Sequence, residues 1–310
     1  MPKQPYHADP TALHTTRRDV LKRCPRRFMI EYVLGFDKKE TSEPLRMGSA
    51  FAFALEHGSA DQVYKYYNDE HILKSKAAYD IEIFEREAAI TEVYADLYLQ
   101  KYPETVEREV MWQFPIDAPT SLGWSDAGTM DFVQRAERGI FAGEDKLKGQ
   151  WTENDLRALD VDDQVTGEIF ALKRLRPNEN VLGLKYRVTK KAQISQRTKK
   201  QPETFPDFLK RLREKLEDES EDRFMEFTLT RTPEELQEFA DELAYTAEYI
   251  EWNLGRYRDD KPAFAKQPKN CAFNGGCAHP LICCSGGNID AELLRGFYTK
   301  KDAAELLQTI

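Results

Sequence analysis

The sequence predicts an α/β fold. Three neighbouring stretches between residues 107 and 148 carry strand character: EREVMWQFPI (107–116), SLGWSDAGTMDFVQRA (121–136) and RGIFAGEDKLK (138–148). Beyond them, helix-like and strand-like segments alternate, as expected of helices packed on a sheet. Hydrophobic residues make up 41% of the 310 and charged residues 32%, the balance of a globular chain with a polar surface.

In chain order, residues 1–10 read as an irregular lead-in. Thr15 or Thr16 can cap a helix through RRDVLKRCPRRFMIEYVLG, stopped at Gly35. Pro25 interrupts it, because a proline inside a helix kinks or breaks it, so Cys24 is expected at a bend. Residues 44–67 read as a buried helix in which Gly48, Ser49, Ala50 and Ala52 permit close packing. Residues 74–101 read as a long scaffold helix that Pro103 ends. After the three strand stretches comes a helix from about Val161 to Leu175, then a strand at 181–191. A polar, basic loop, AQISQRTKKQPETF, is expected to be mobile. A short amphipathic helix leads to a strand at 223–232. PEELQEFADELAYTAEYIEWN reads as a strong helix from Pro233 to about Asn253, with Thr232 as N-cap and Glu235 completing a capping box. Three regions follow from this pass: a helical region at 1–103, a core at 104–232, and a C-terminal helix with a cysteine-rich tail at 233–310.

Net charge is −9, which speaks to solubility more than to binding. The basic residues are nevertheless segregated. Arg17, Arg18, Lys22, Arg23, Arg26 and Arg27 cluster near the start. Lys185, Arg187, Lys190, Lys191, Arg197, Lys199 and Lys200 form a second stretch without an acid among them. Each alone reads equally well as a solvated face, but two of them flanking a metal site favour phosphate contacts. No apolar run approaches the ~20 residues of a membrane helix, and the N-terminus lacks the apolar core of a secretory signal. A cytoplasmic setting is expected, or the host cytoplasm if the chain is phage-encoded. A reducing compartment argues against a disulfide framework.

The chemistry concentrates between Gly123 and Gln164. Asp131 sits in the apolar run TMDFV. Glu144 and Lys146 lie two apart in IFAGEDKLK, so a strand would point both to one face. An acid on one strand, and an acid with a lysine on the next, can hold a hard divalent cation and orient water. By spacing alone the pattern is weak, since a surface hairpin can carry it with Glu144, Asp145, Lys146 and Lys148 as a solvated strand end.

Of five cysteines, Cys271, Cys277, Cys283 and Cys284 fall in a Gly- and Pro-rich tail, and Cys24 lies far upstream. Cysteines clustered in a loop-like segment point to metal. Four thiolates suit either Zn²⁺ or an iron–sulfur cluster, and spacing does not choose between them.

GTMDFV, FAGEDKLKG and DDQVTGEIFALKRL, in this order, resemble the motifs of the PD-(D/E)XK nucleases, specifically the RecB-type branch. CPRRF with CAFNGGCAHPLICC resembles the iron–sulfur form of that branch, which includes CRISPR-adaptation, AddB-type and phage exonucleases. The resemblance spans roughly residues 20 to 300. It implies a restriction-endonuclease-like core, a mixed central sheet flanked by helices, with the chain ends joined by a [4Fe–4S] cluster. It implies Asp131 and Glu144 as ligands of Mg²⁺ or Mn²⁺, the Asp145 carbonyl as a further ligand, and Lys146 positioning the attacking water. Cys24, Cys271, Cys277 and Cys283 become the cluster ligands, with Cys284 able to replace Cys283. His279 is a poorer ligand, and Phe264, Phe273 and Phe297 would shield the cluster.

The sequence departs from the pattern twice. The family places a metal-binding histidine four residues after a glycine, and here Gly48 is followed by Ala52. Glu56, one turn beyond Ala52, is the better substitute. His57 lies about 140° round the helix from Ala52 and is the lesser candidate. The family's Q-x-x-x-Y motif is present as Gln164 and Glu168, so the tyrosine is missing. Gln164 is either a site residue or an ordinary helix-start glutamine. Glu109 could enter the metal shell.

The leading expectation is a metal-dependent deoxyribonuclease, an exonuclease or single-strand endonuclease, working on DNA beside a recombinase or helicase and without a membrane. Arg26, Arg27, Lys185, Arg187, Lys190 and Lys191 are the expected DNA contacts. Two alternatives are a catalytically weakened DNA-binding or assembly module on the same fold, and a zinc-stapled scaffold with no DNA role.

Overall fold

The β-branched and aromatic runs do become strands. The computed structural model describes residues 9–38, 42–103, 106–199, 201–259, 261–271, 277, 279–284 and 298–300. Its strands are β1 (Ala12–Leu13), β2 (Phe36–Lys38), β3 (Glu107–Pro115), β4 (Ser125–Ala136), β5 (Gly139–Lys148), β6 (Val181–Lys190), β7 (Phe224–Leu229) and β8 (Tyr298–Lys300). Its α-helices are α1 (Thr15–Arg23), α2 (Pro25–Phe28), α3 (Glu43–Glu56), α4 (Gln62–Tyr67), α5 (Ala78–Lys101), α6 (Glu153–Ala158), α7 (Asp163–Leu175), α8 (Phe205–Asp218), α9 (Ser220–Arg223), α10 (Pro233–Arg258) and α11 (Pro280–Cys284).

Contacts divide the chain into two units, neither of them one continuous segment. The first comprises Met1, Ser42–Val110 and Thr129–Arg231; the second comprises Pro2–Thr41, Met111–Gly128 and Thr232–Ile310. This differs from the three consecutive regions read from sequence, because strands 3 and 4 each change unit part-way along.

The first unit is built on a mixed sheet flanked by helices. β4 pairs antiparallel with β5 from Phe132 opposite Gly143, β5 pairs parallel with β6, and β6 pairs antiparallel with β7. The parallel pair requires a crossover, and α6 and α7 supply it. α7 packs on β5 and β6, and α3 also packs on β5. Gly143 is required by its partner: a Cβ there would lie 2.2 Å from the Phe132 ring. An apolar cluster including Phe51, Tyr67, Tyr94, Tyr98, Leu212 and Phe224 joins α3, α4, α5, α8 and β7.

The expected helix at 44–67 is two helices. Gly58, at φ +64°, ends the first, a conformation that glycine adopts without steric cost. The basic loop after β6 is tied down. Gln196 accepts from Arg86 at 2.6 Å and donates to the Glu203 carbonyl at 2.8 Å, and Glu203 pairs with Arg211.

In the second unit Cys24 stands in extended conformation between α1 and α2, at the expected bend, while His14 rather than a threonine occupies the N-cap of α1. Thr232 and Glu235 form the capping box of α10. β1, too short for a periodic signal, pairs parallel with Ser125 and Asp126, and β2 pairs antiparallel with β8. Phe28, Trp124, Ile250, Leu254 and Phe264 centre the core. Arg17 and Arg18, read as part of a basic cluster, are buried. Arg17 donates to the carbonyls of Asp9, Pro10 and Ala12, and Arg18 pairs with Asp126 at 2.8 Å. No described helix is long and apolar enough to cross a membrane.

Candidate active site

Strand alternation sorts the adjacent charged residues Glu144, Asp145 and Lys146 of β5. Glu144 and Lys146 point to one face, where they form an ion pair. Asp145 points to the other, where Tyr98 from α5 donates to Oδ1 and the Arg108 guanidinium lies 2.6 Å from Oδ2. Burial pushes the Asp145 carboxyl up, and Arg108 opposes that shift. The Asp145 side chain is thus a structural anchor. Its backbone N–H donates to Asp131 Oδ2 at 2.7 Å and fixes Asp131 beside β5.

Burial raises the Asp131 carboxyl to about 6. The Lys146 charge opposes the shift and the Asp145 charge adds to it. Glu144 is 2% exposed and its Oε2 has no hydrogen-bond partner. A shallow cavity next to Asp131 is lined by Ala52, Leu55, Glu56, Arg108, Glu109 and Asp145. Glu56 lines this cavity. His57 is not one of its lining residues, though its Nδ1 lies 3.9 Å from Glu56 Oε2. It is exposed, its Nδ1 lies 2.9 Å from the Phe53 carbonyl, and it packs on the Phe53 ring as a helix-end residue. Glu109 has φ +52°, rare for a side chain of its size. Burial first, then Asp131 and Glu56, push its carboxyl up to about 7.

From α7, Gln164 donates to Glu168 Oε1 at 2.9 Å. Glu168 is 1% exposed and its Oε2 is a second carboxylate oxygen without a partner. Its carboxyl stands well above the ordinary range, through burial and then the Asp131 charge, against the pull of Lys146. Sequence reading registered Glu168 only as a missing tyrosine. The available signal was its spacing of four from Gln164, which puts both on one helical face. Nothing in the sequence pointed to Tyr98 or Arg108.

The donor set suits a hard cation: clustered carboxyls, two of them with a buried oxygen that lacks a donor, and ionisation opposed by burial. Among the described residues, no three such groups stand around a single point, and the Lys146 ammonium rests on Glu144.

The expected DNA contacts fare unevenly. Arg187 is 1% exposed: it pairs with Glu226 at 2.8 Å, reaches Gln134, and stacks over Tyr102 and Phe132. It is a core residue and makes no surface for a phosphate. Lys185 pairs with Glu226, Arg27 with Glu31, and Arg26 donates to the carbonyls of Phe264 and Ala263. Lys190 stays half-buried at the end of β6, in register with Lys148. Lys191 follows it, half-buried against Met47, and burial lowers its ammonium.

In the second unit none of the five cysteines is paired in a disulfide. Local desolvation, followed by the charges of Cys277, Cys24 and Cys284, holds the Cys271 thiol above its ordinary value. Desolvation raises Cys283 as well, with Cys284 and Cys24 contributing. Thiols in mutual electrostatic range suit a thiolate-held metal, although no three converge among the described residues. The Cys24 bend and the tail are already joined by Arg26, by Asn270 donating to the Arg23 carbonyl, and by stacking of Phe28 on Phe264. His279, the poorer ligand candidate, is buried with Nε2 2.7 Å from Glu31. Burial works against the Glu31 carboxylate, but hydrogen bonds from His279 and Arg27 outweigh it and hold it below its ordinary value. Phe273 and Phe297 lie outside the described residues.

No protein-family profile matches the chain, and comparison with curated proteins found no match. Among solved structures the chain is similar to the crystal structure of a "putative exonuclease" from Eubacterium rectale. The two are 13% identical over 86% of this chain and 89% of that one, with a TM-score of 0.47. Likeness at this level leaves the functional reading to the site itself.

Proposed function

We propose that this protein is a divalent-metal-dependent DNA nuclease that hydrolyses phosphodiester bonds at DNA ends or on single strands. One observation supports the reading: buried Glu144, paired with Lys146, keeps an oxygen that no protein donor reaches among the described residues, and Asp131 lies within electrostatic range of the same lysine. Asp131 and Glu144 are the residues to hold Mg²⁺ or Mn²⁺, with Glu56 and the Asp145 carbonyl as further oxygens. Such an ion, when bound, acidifies water and offsets charge developing on the phosphate. Lys146 orients the attacking water and stabilises the anionic phosphoryl group. The Asp145 N–H keeps Asp131 in place. Lys190 and Lys191 are the remaining candidates for phosphate contact, close to the C-terminal end of β5.

On the same reading the second unit carries a [4Fe–4S] cluster held by Cys24, Cys271, Cys277 and Cys283, or Cys284 in place of Cys283. Its role is to staple the chain ends. A recombinase or helicase that presents DNA ends is the implied partner class.

The test is a time course on end-labelled single- and double-stranded DNA with Mn²⁺, using protein prepared without air and assayed for iron. The parent is expected to cut, Glu144→Ala to leave DNA intact, and Lys146→Ala to cut slower by roughly two to four orders of magnitude while still binding DNA. A second reading, a weakened DNA-binding module, is favoured by Ala52 lining the cavity where the family carries histidine. DNA left whole but shifted by an iron-replete parent would establish it.

A further inference from the structure

Two buried carboxylate oxygens lack a hydrogen-bond donor, Glu144 Oε2 on β5 and Glu168 Oε2 on α7, and both residues lie within electrostatic range of Lys146. Buried polar atoms in folded proteins are almost always satisfied, and an exception calls for a physical account. Glu168 is 1% exposed, so bulk water is no partner. Its other oxygen is held by Gln164 at 2.9 Å, which fixes the carboxylate relative to α7. It senses the charges of both Asp131 and Lys146, and Lys146 in turn lies on Glu144. Asp131, Glu144 and Glu168 therefore bring three acids to one lysine. A cation shared by Glu144 and Glu168 completes both acids at once.

We infer that Glu168 is a further carboxylate ligand of the divalent-cation site, supplied by the helix, and that Gln164 is its positioning residue. This rests on the nuclease reading for the site as a whole, and it gives α7 a role that reading does not assign. The site then offers three acids where Ala52 offers none. It is built for a hard, oxygen-seeking ion such as Mg²⁺ or Mn²⁺. The carboxylates are not gathered around one point among the described residues, so binding draws the two unpartnered oxygens together and restrains α7 against β5.

The deciding experiment reads Mn²⁺ binding, not cleavage. Free Mn²⁺ is followed by electron paramagnetic resonance as it is titrated into full-length, iron-replete parent, Glu168→Gln, Gln164→Ala and Glu144→Gln. Unfolding temperature is recorded for each with chelator and with excess Mn²⁺. Glu168→Gln is expected to weaken Mn²⁺ binding by roughly ten- to a hundred-fold, and Gln164→Ala by a smaller factor. In chelator Glu168→Gln is expected to be at least as stable as the parent, since it removes a buried acid. Added Mn²⁺ should raise the parent's unfolding temperature more than the variant's. A purely structural glutamate would instead give a variant destabilised equally in both conditions. Parent-like Mn²⁺ affinity in Glu168→Gln, alongside its loss in Glu144→Gln, overturns the assignment of Glu168 and leaves the nuclease site standing. A parent whose Mn²⁺ binding does not depend on Glu144 overturns both.

Discussion

Asp145 carries no unpaired charge into the core, because Arg108 and Tyr98 meet its two oxygens. Removing one member of a buried ion pair strands the other, at a cost of about 3–5 kcal/mol. Arg108→Met is expected to lower stability by that order, and Arg108→Met combined with Asp145→Leu to restore most of it, as measured by denaturant unfolding. Glu109 governs a second effect. Its folded-state value of about 7 lies above the ordinary 4.5. The folded protein therefore holds its proton more tightly, and stability from this residue is present at low pH and lost as pH rises from about 4.5 through about 7. In chelator, Glu109→Gln should be more stable than the parent near neutral pH, and the gap should close towards pH 4.5. A gap that stays constant with pH would show that Glu109 does not titrate in this range. At this scale the shared face of Glu144 and Lys146 was legible because strand alternation is strict. Arg187 was not: its basic neighbours made it look like surface, and its burial comes from Glu226, Tyr98 and two aromatic rings distant in sequence.

Among elements, β4 and β5 form a tightly matched pair. A methyl at Gly143 would enter the Phe132 ring, so overpacking sets the penalty. Gly143→Ala is expected to cost about 1–3 kcal/mol, with Phe132→Leu recovering much of it; thermal unfolding of the single and double variants checks this. Helices α5, α7, α8 and α10 and strands β3 to β7 were readable from periodicity and capping. The break between α3 and α4 was not, because Gly58 sits in a segment that is otherwise helical in pattern. β1 escaped because two residues carry no period, and its pairing with Ser125 and Asp126 is set by residues over a hundred positions away.

For the molecule as a whole, the two compact units do not follow contiguity in sequence. Each unit is assembled from separated segments, and no composition shift marks where a strand passes from one to the other. In the second unit the Cys24 bend and the tail are linked by hydrogen bonds and a stacked phenylalanine pair. If the proposed cluster is present, Cys24→Ser is expected to lose iron and melt at a lower temperature, while these contacts keep its helical circular dichroism at room temperature. A variant with full iron content would remove Cys24 from the ligand set.

The contact between Lys146 and Glu144 has one more consequence. The ammonium is a tethered rival for the same carboxylate, present at high effective concentration because it sits two residues away. Any ion that takes Glu144 does so by exchange, and its apparent affinity is discounted by the rival. Turnover and affinity should then part company: Lys146→Met is expected to bind Mn²⁺ more tightly than the parent while cutting DNA far more slowly. The lysine tunes how readily the site lets go as much as what it does.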